Sequence, residues 1–200
     1  MKFNDAARKN TGTQGSIVIC RADEAAARAK GENVAAVLSI EHPGVKPGER
    51  GAAPRLDGPP QMVLTFWDSE EDVEDAPDAK QVARGMGFVL RHLARGDVII
   101  HCNAGKARSA ALALGVLALL HPQKSAEELV AQLLDIRPQA APNIRVVGIA
   151  DALAQRGGKL TQAVLADGKI AAARAAAEEG RKNWRRLHPE KFPAKRRNAP

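Results

Sequence analysis

Two hundred residues, 44% of them hydrophobic, suffice to bury one sizeable core and leave little for a second full domain. Two cysteines, Cys20 and Cys102, exclude a disulfide framework and a four-cysteine zinc site. The net charge of +7 is local: Arg181 to Pro200 carries eight Lys/Arg against Glu190 alone, so residues 1–180 are balanced at 22 basic and 22 acidic. Apolar runs are too short for a bilayer and the first residues lack a basic-then-apolar leader pattern, so the expectation is a cytoplasmic protein in a reducing compartment.

Residues 1–15 are polar, with Gly12 and Gly15, and read as a flexible lead-in. Ser16 to Cys20 and Ala35 to Ile40 are short β-branched-rich runs separated by the Ala-rich, charged stretch Asp23–Lys30, which gives strand, helix, strand. From His42 to Pro60, repeated Pro and Gly exclude a helix or central strand and leave a long surface loop. Met62 to Trp67 reads as a third strand, running into an acidic loop, Asp68 to Asp78. Val82, Met86, Val89, Leu90 and Leu93 recur at helical spacing, and Asp97 to His101 is a fourth strand. Ser109 to Leu120 is apolar on nearly every face, as in a buried helix. Ser125 and Glu128 make a capping box for a helix that ends before Pro138, and a last core helix follows Pro142 and closes at Gly157-Gly158.

The alternation predicts an α/β, three-layer-type sandwich: a small, mainly parallel central sheet flanked by helices, with a basic helical or disordered C-terminal tail. Residues 16–158 form the expected core domain. Residues 159–200 form an Ala-rich, then basic extension, with a loosely tied helix over 169–187.

The chemistry concentrates in His101-Cys-Asn-Ala-Gly-Lys-Ala-Arg-Ser109, between a buried strand and a buried helix. A loop wrapped at a helix N-terminus points backbone N–H groups inward, and the helix dipole adds positive potential, so the turn from Asn103 through Ala104, Gly105, Lys106 and Ala107 to Arg108 is an anion site. Arg108 can clamp two oxygens of a tetrahedral phosphate with its planar fork, and Cys102 in the same field is stabilised as a thiolate.

This stretch resembles the His-Cys-x5-Arg-Ser/Thr signature of the protein tyrosine phosphatase superfamily, including the dual-specificity phosphatases, with His101, Cys102, Gly105, Arg108 and Ser109 at its fixed positions. The resemblance extends to the layout from Ser16 to about Arg156. It implies that Cys102 forms a phosphocysteine intermediate, that Arg108 and the loop amides hold the phosphoryl oxygens, that Ser109 assists thiolate departure and that His101 orders the loop from behind. It implies neither metal nor cofactor. A leaving alkoxide or phenoxide needs a proton, and the family supplies it from an aspartate roughly 30 residues upstream of the cysteine, which selects Asp68. Glu70, Glu71, Asp72 and Asp75 share that loop and stay in play. Lys106, after the glycine, departs from many bacterial members and adds a second cation at the rim.

The implied partner is a phosphorylated protein or another phosphomonoester. The competing readings are a phospho-ligand-binding module of the same fold without turnover, and rhodanese-type or arsenate-reducing cysteine chemistry, against which the spacing to Arg108 and Ser109 argues. The basic cluster from Arg181 to Arg197, with Trp184 and Phe192, suits contact with nucleic acid or an anionic membrane. No feature specifies an oligomeric state.

Overall fold

The structure, a computed structural model, describes residues 15–187, except for the side chains of Arg181, Trp184 and Arg185. Nearly all of the lead-in and most of the basic cluster expected to meet polyanions lie outside the described residues.

Strands β1 (Ile17–Arg21), β2 (Val34–Glu41), β3 (Gln61–Thr65) and β4 (Asp97–Cys102) form one sheet in the order β1-β4-β2-β3, with every pairing parallel. The third strand is shorter than expected: after Phe66, Trp67 turns away and donates its amide to the Asp75 carbonyl at 3.0 Å. Period-two alternation divides the side chains of the sheet between two unequal layers. Val98, Ile100 and Cys102 face the thick one, whereas Ile99, Cys20 and Val37 face a thin one made by α1 (Ala22–Arg28) and by Leu56 of the long loop.

The thick layer holds α2 (Ala79–Leu93), α3 (Arg108–Leu120), α4 (Ala126–Ile136) and α5 (Ile144–Leu153). Helix α3 is buried from Arg108 to Ala118, which accounts for its lack of a polar face. The box at Ser125 and Glu128 caps α4 as expected. A second box, Asp78 with Gln81, caps α2 where the sequence reading had placed only the end of an acidic loop.

Beyond Gly158 the chain continues into the same core. Helix α6 (Lys159–Ala166) buries Leu160, Ala163 and Val164, and its first amides donate to the buried carboxylate of Asp151, at 2.6 Å from Gly158 and 2.7 Å from Leu160. Helix α7 (Gly168–Leu187) buries Ile170 in that core. Among the described residues no helix is long and apolar enough to cross a membrane.

Candidate active site

Adjacent parallel strands β1 and β4 send the chain to opposite faces, β1 into α1 on the thin side and β4 into α3 on the thick side. Such a reversal opens a crevice at the carboxyl ends of the strands. The loop Asn103–Ala107 fills that crevice.

All five carbonyls of this loop point outward and are paired. Asn103 O accepts from Ala22 N at 3.3 Å, Ala104 O and Gly105 O accept from the Arg137 guanidinium at 3.3 and 3.0 Å, Lys106 O accepts from Ala141 N at 2.8 Å, and Ala107 O accepts from Ala111 N at 2.9 Å and Asn143 N at 3.3 Å. Because C=O and the following N–H are antiparallel across a trans peptide, the amides of residues 104–108 turn inward together, where the N-terminus of α3 adds its dipole. Gly105 is required at the tightest point. Its φ is +62°, and a Cβ there would lie 2.2 Å from the Cys20 carbonyl oxygen.

Arg108, 1% exposed, is aimed by its own anchors. Its Nη1 donates to Phe66 O at 2.8 Å and Glu41 O at 3.1 Å, and its buried Nε has no protein partner. Glu41 is held in turn by Arg55, at 3.0 and 3.2 Å, and by the Ala53 amide at 3.1 Å. Burial works against the Glu41 carboxylate, but these hydrogen bonds prevail and hold it below the usual range.

Cys102 lies at the end of β4, 3% exposed, with Sγ 3.2 Å from Ser109 Oγ. His101 points to the opposite face, where Nε2 is 2.7 Å from Ser39 Oγ. That hydroxyl also accepts from Gln61 Nε2 at 2.8 Å, which leaves it a second lone pair and a proton to offer the ring. Burial pushes the His101 pKa down to about 4; the Cys102 backbone opposes the shift and the Arg108 charge adds to it. Above the loop, His42 packs on Trp67 with ring centroids 5.3 Å apart, and burial with the charges of Arg108 and Arg50 keeps it neutral, its pKa pushed down to about 3.

Asp68 follows two residues after Phe66, whose carbonyl anchors Arg108. Its Oδ1 accepts from Asn143 Nδ2 at 2.9 Å, and the same amide reaches Ser69 O at 3.3 Å. Two other acids of that loop are paired, Glu70 with Arg174 and Asp72 with Arg145 at 3.1 Å, and Asp75, at φ +55°, accepts Trp67 N on its backbone carbonyl. The structure thus brings His101, Cys102, the loop, Arg108 and Ser109 together, with Asp68 tethered to the loop's end through Asn143. Among the described residues no His, Cys, Asp or Glu cluster has the makings of a metal site.

Sequence reasoning missed Arg137 and Asn143. In the sequence Arg137 carries no signal beyond its place before Pro138. Asn143 was legible only as the N-cap it also is, its Oδ1 accepting from Val146 N at 3.0 Å.

No protein-family model and no curated protein matches this sequence. Solved structures do match in three dimensions. PTPMT1 is similar over 72% of this chain and 88% of its own, with 21% identity and a TM-score of 0.51. Human DUSP28 is similar over 70% and 95%, with 18% identity and a TM-score of 0.51. The human tyrosine phosphatase-like serine/threonine/tyrosine-interacting protein is similar over 70% and 91%, with 17% identity and a TM-score of 0.54. The chain has the fold of the protein tyrosine and dual-specificity phosphatases.

Proposed function

We propose that this protein is a phosphomonoester hydrolase with a cysteine nucleophile, of the tyrosine or dual-specificity type, acting on a phosphorylated protein or another phosphomonoester in the cytoplasm. The observation that carries the reading is the loop: five carbonyls paired outward, amides turned in, and an arginine fixed by one nitrogen while its buried Nε is left for a ligand. Donors held in place before the charge develops are the main source of catalysis in oxyanion-type sites.

The Cys102 thiolate attacks phosphorus, an S–P bond forms, and the ester P–O bond breaks with its electron pair on the leaving oxygen. Asp68, as the neutral acid, gives its proton to that oxygen and an alcohol or phenol departs. Arg108 and the inward amides hold the equatorial oxygens throughout. Water then attacks the phosphocysteine, Asp68 takes a proton from it, and the S–P pair returns to sulfur to give inorganic phosphate. Ser109 Oγ, 3.2 Å from Sγ, donates to that returning thiolate.

The test is hydrolysis of p-nitrophenyl phosphate by wild type, Cys102→Ser, Arg108→Ala and Asp68→Asn, with a reductant and without metal. Turnover is expected in wild type, lost in the first two variants and reduced in the third. No wild-type turnover together with tight orthovanadate binding would replace this reading with a phospho-ligand-binding module.

A further inference from the structure

The loop from Asp68 to Asp78 carries seven carboxylates, Asp68, Glu70, Glu71, Asp72, Glu74, Asp75 and Asp78, which repel one another. It is nevertheless fixed against α5, and one of the cations that fix it comes from the far end of the chain. Arg174 of α7 meets Glu70 as a fork, Nη1 to Oε1 at 2.8 Å and Nη2 to Oε2 at 3.0 Å, and Nη1 also donates to Pro142 O at 2.6 Å. Glu70 Oε1 accepts at the same time from Ile144 N at 3.0 Å. The guanidinium therefore joins the acidic loop to Pro142 while the Glu70 carboxylate itself reaches Ile144, so both residues flanking Asn143, the side chain that holds Asp68, are tied to that loop.

The direction of Arg174 is set by packing. Ile170 is fully buried, and residues four apart on a helix share a face, so Arg174 stands one turn beyond the anchor on the core side. Isolated surface ion pairs hold little, but a two-point fork with a carbonyl as third acceptor, its side chains 21% and 37% exposed, constrains both orientation and distance.

We infer that Arg174 is a positioning residue for the general acid: through Glu70 and Pro142, helix α7 straps the acidic loop over the phosphate loop and keeps Asp68 where it protonates the leaving group. This rests on the reading of Asp68 as the acid in a cysteine phosphatase. Loss of the strap leaves the nucleophile and phosphate clamp intact, so the defect scales with how badly the leaving oxygen needs a proton.

The experiment compares kcat/KM for a series of aryl phosphates of rising phenol pKa in wild type, Arg174→Ala, Arg174→Lys, Glu70→Ala and the Arg174→Ala/Glu70→Ala double variant, with amide hydrogen exchange across residues 67–76. In Arg174→Ala the expected loss is about tenfold for phenyl phosphate and under about twofold for the most acidic phenol, within the span a general acid supplies. Arg174→Lys recovers part of it, the double variant is no worse than the poorer single one, and exchange over 67–76 accelerates. An equal loss on every leaving group, or unchanged exchange in a folded Arg174→Ala, overturns the strap. Failure of the phosphatase reading looks different: wild type releases no phosphate, and exchange alone then decides whether Arg174 holds the loop.

Discussion

The two loops that meet at this site are built by opposite means. The phosphate loop is a contiguous strand–turn–helix in which Cys102, Gly105 and Arg108 lie within seven residues, and its shape is locked by backbone carbonyls paired outward. The acidic loop closes short turns of its own, Val73 N on Glu71 O and Ala76 N on Val73 O, both at 3.1 Å. It is pinned by side chains from α5 and α7, with Trp67 N on Asp75 O closing its base. The residues of the phosphate loop are therefore contiguous and its distant supports, such as Arg137 and Ala141, act on backbone carbonyls, whereas Asp68 is held through its own carboxylate by Asn143. Damage to the first should weaken all phosphate chemistry and vanadate binding alike; damage to the second should spare vanadate and penalise only poor leaving groups.

The largest effect is expected at Gly105. A β-carbon there meets the Cys20 carbonyl at 2.2 Å in a backbone region disfavoured for L-residues, so Gly105→Ala has to move the loop. The expected cost is about 2 kcal/mol in urea unfolding and on the order of a thousandfold in kcat/KM, the same for every aryl phosphate. A variant that retained vanadate affinity would show that the inward amides are not the binding element.

Arg137→Ala comes next. It strips the donors from Ala104 O and Gly105 O without touching ligand, so the amides lose their fixed direction. A loss of about tenfold to a hundredfold, again independent of leaving group, is expected, with parallel weakening of vanadate binding measured by calorimetry. Asn143→Ala should sort to the other side of the comparison. It removes the contact to Asp68 Oδ1 and the cap of α5, at about 2 kcal/mol of stability, and its kinetic loss should grow with phenol pKa while vanadate binding holds.

This contrast also explains what could be read in advance. The four strands, the buried helix after the loop and the box at Ser125 were legible because each is written in neighbouring residues with a fixed period or spacing. The sheet order was not, since alternating strands and helices permit several orders. The supports of the site were hidden by sequence distance: Arg137 is 32 residues from the Gly105 carbonyl it holds, Asn143 is 75 from Asp68, and Arg174 is 104 from Glu70. None of these has a local signature beyond an ordinary cap or a charged helix position, so only packing reveals them.

The smallest expected effect tests the underside of the phosphate loop, where His101 is buried as a neutral ring against Ser39. The acidic loop contains no histidine, so a titration near pH 6 distinguishes the two. In the unfolded chain His101 binds its proton near pH 6.5; in the folded protein it does so only near pH 4. Between those values the unfolded state holds more protons, so stability rises with pH: this contribution is intact above pH 6.5 and is lost progressively as the pH falls. About 1 kcal/mol should disappear between pH 6.5 and 5.5 on this account alone. His42, His92 and His121 are shifted the same way and add to the slope. The informative quantity is therefore the difference in urea unfolding free energy between wild type and His101→Asn at the two pH values. A gap that stays constant across the interval would mean that His101 takes up its proton in the fold at the same pH as in the unfolded chain.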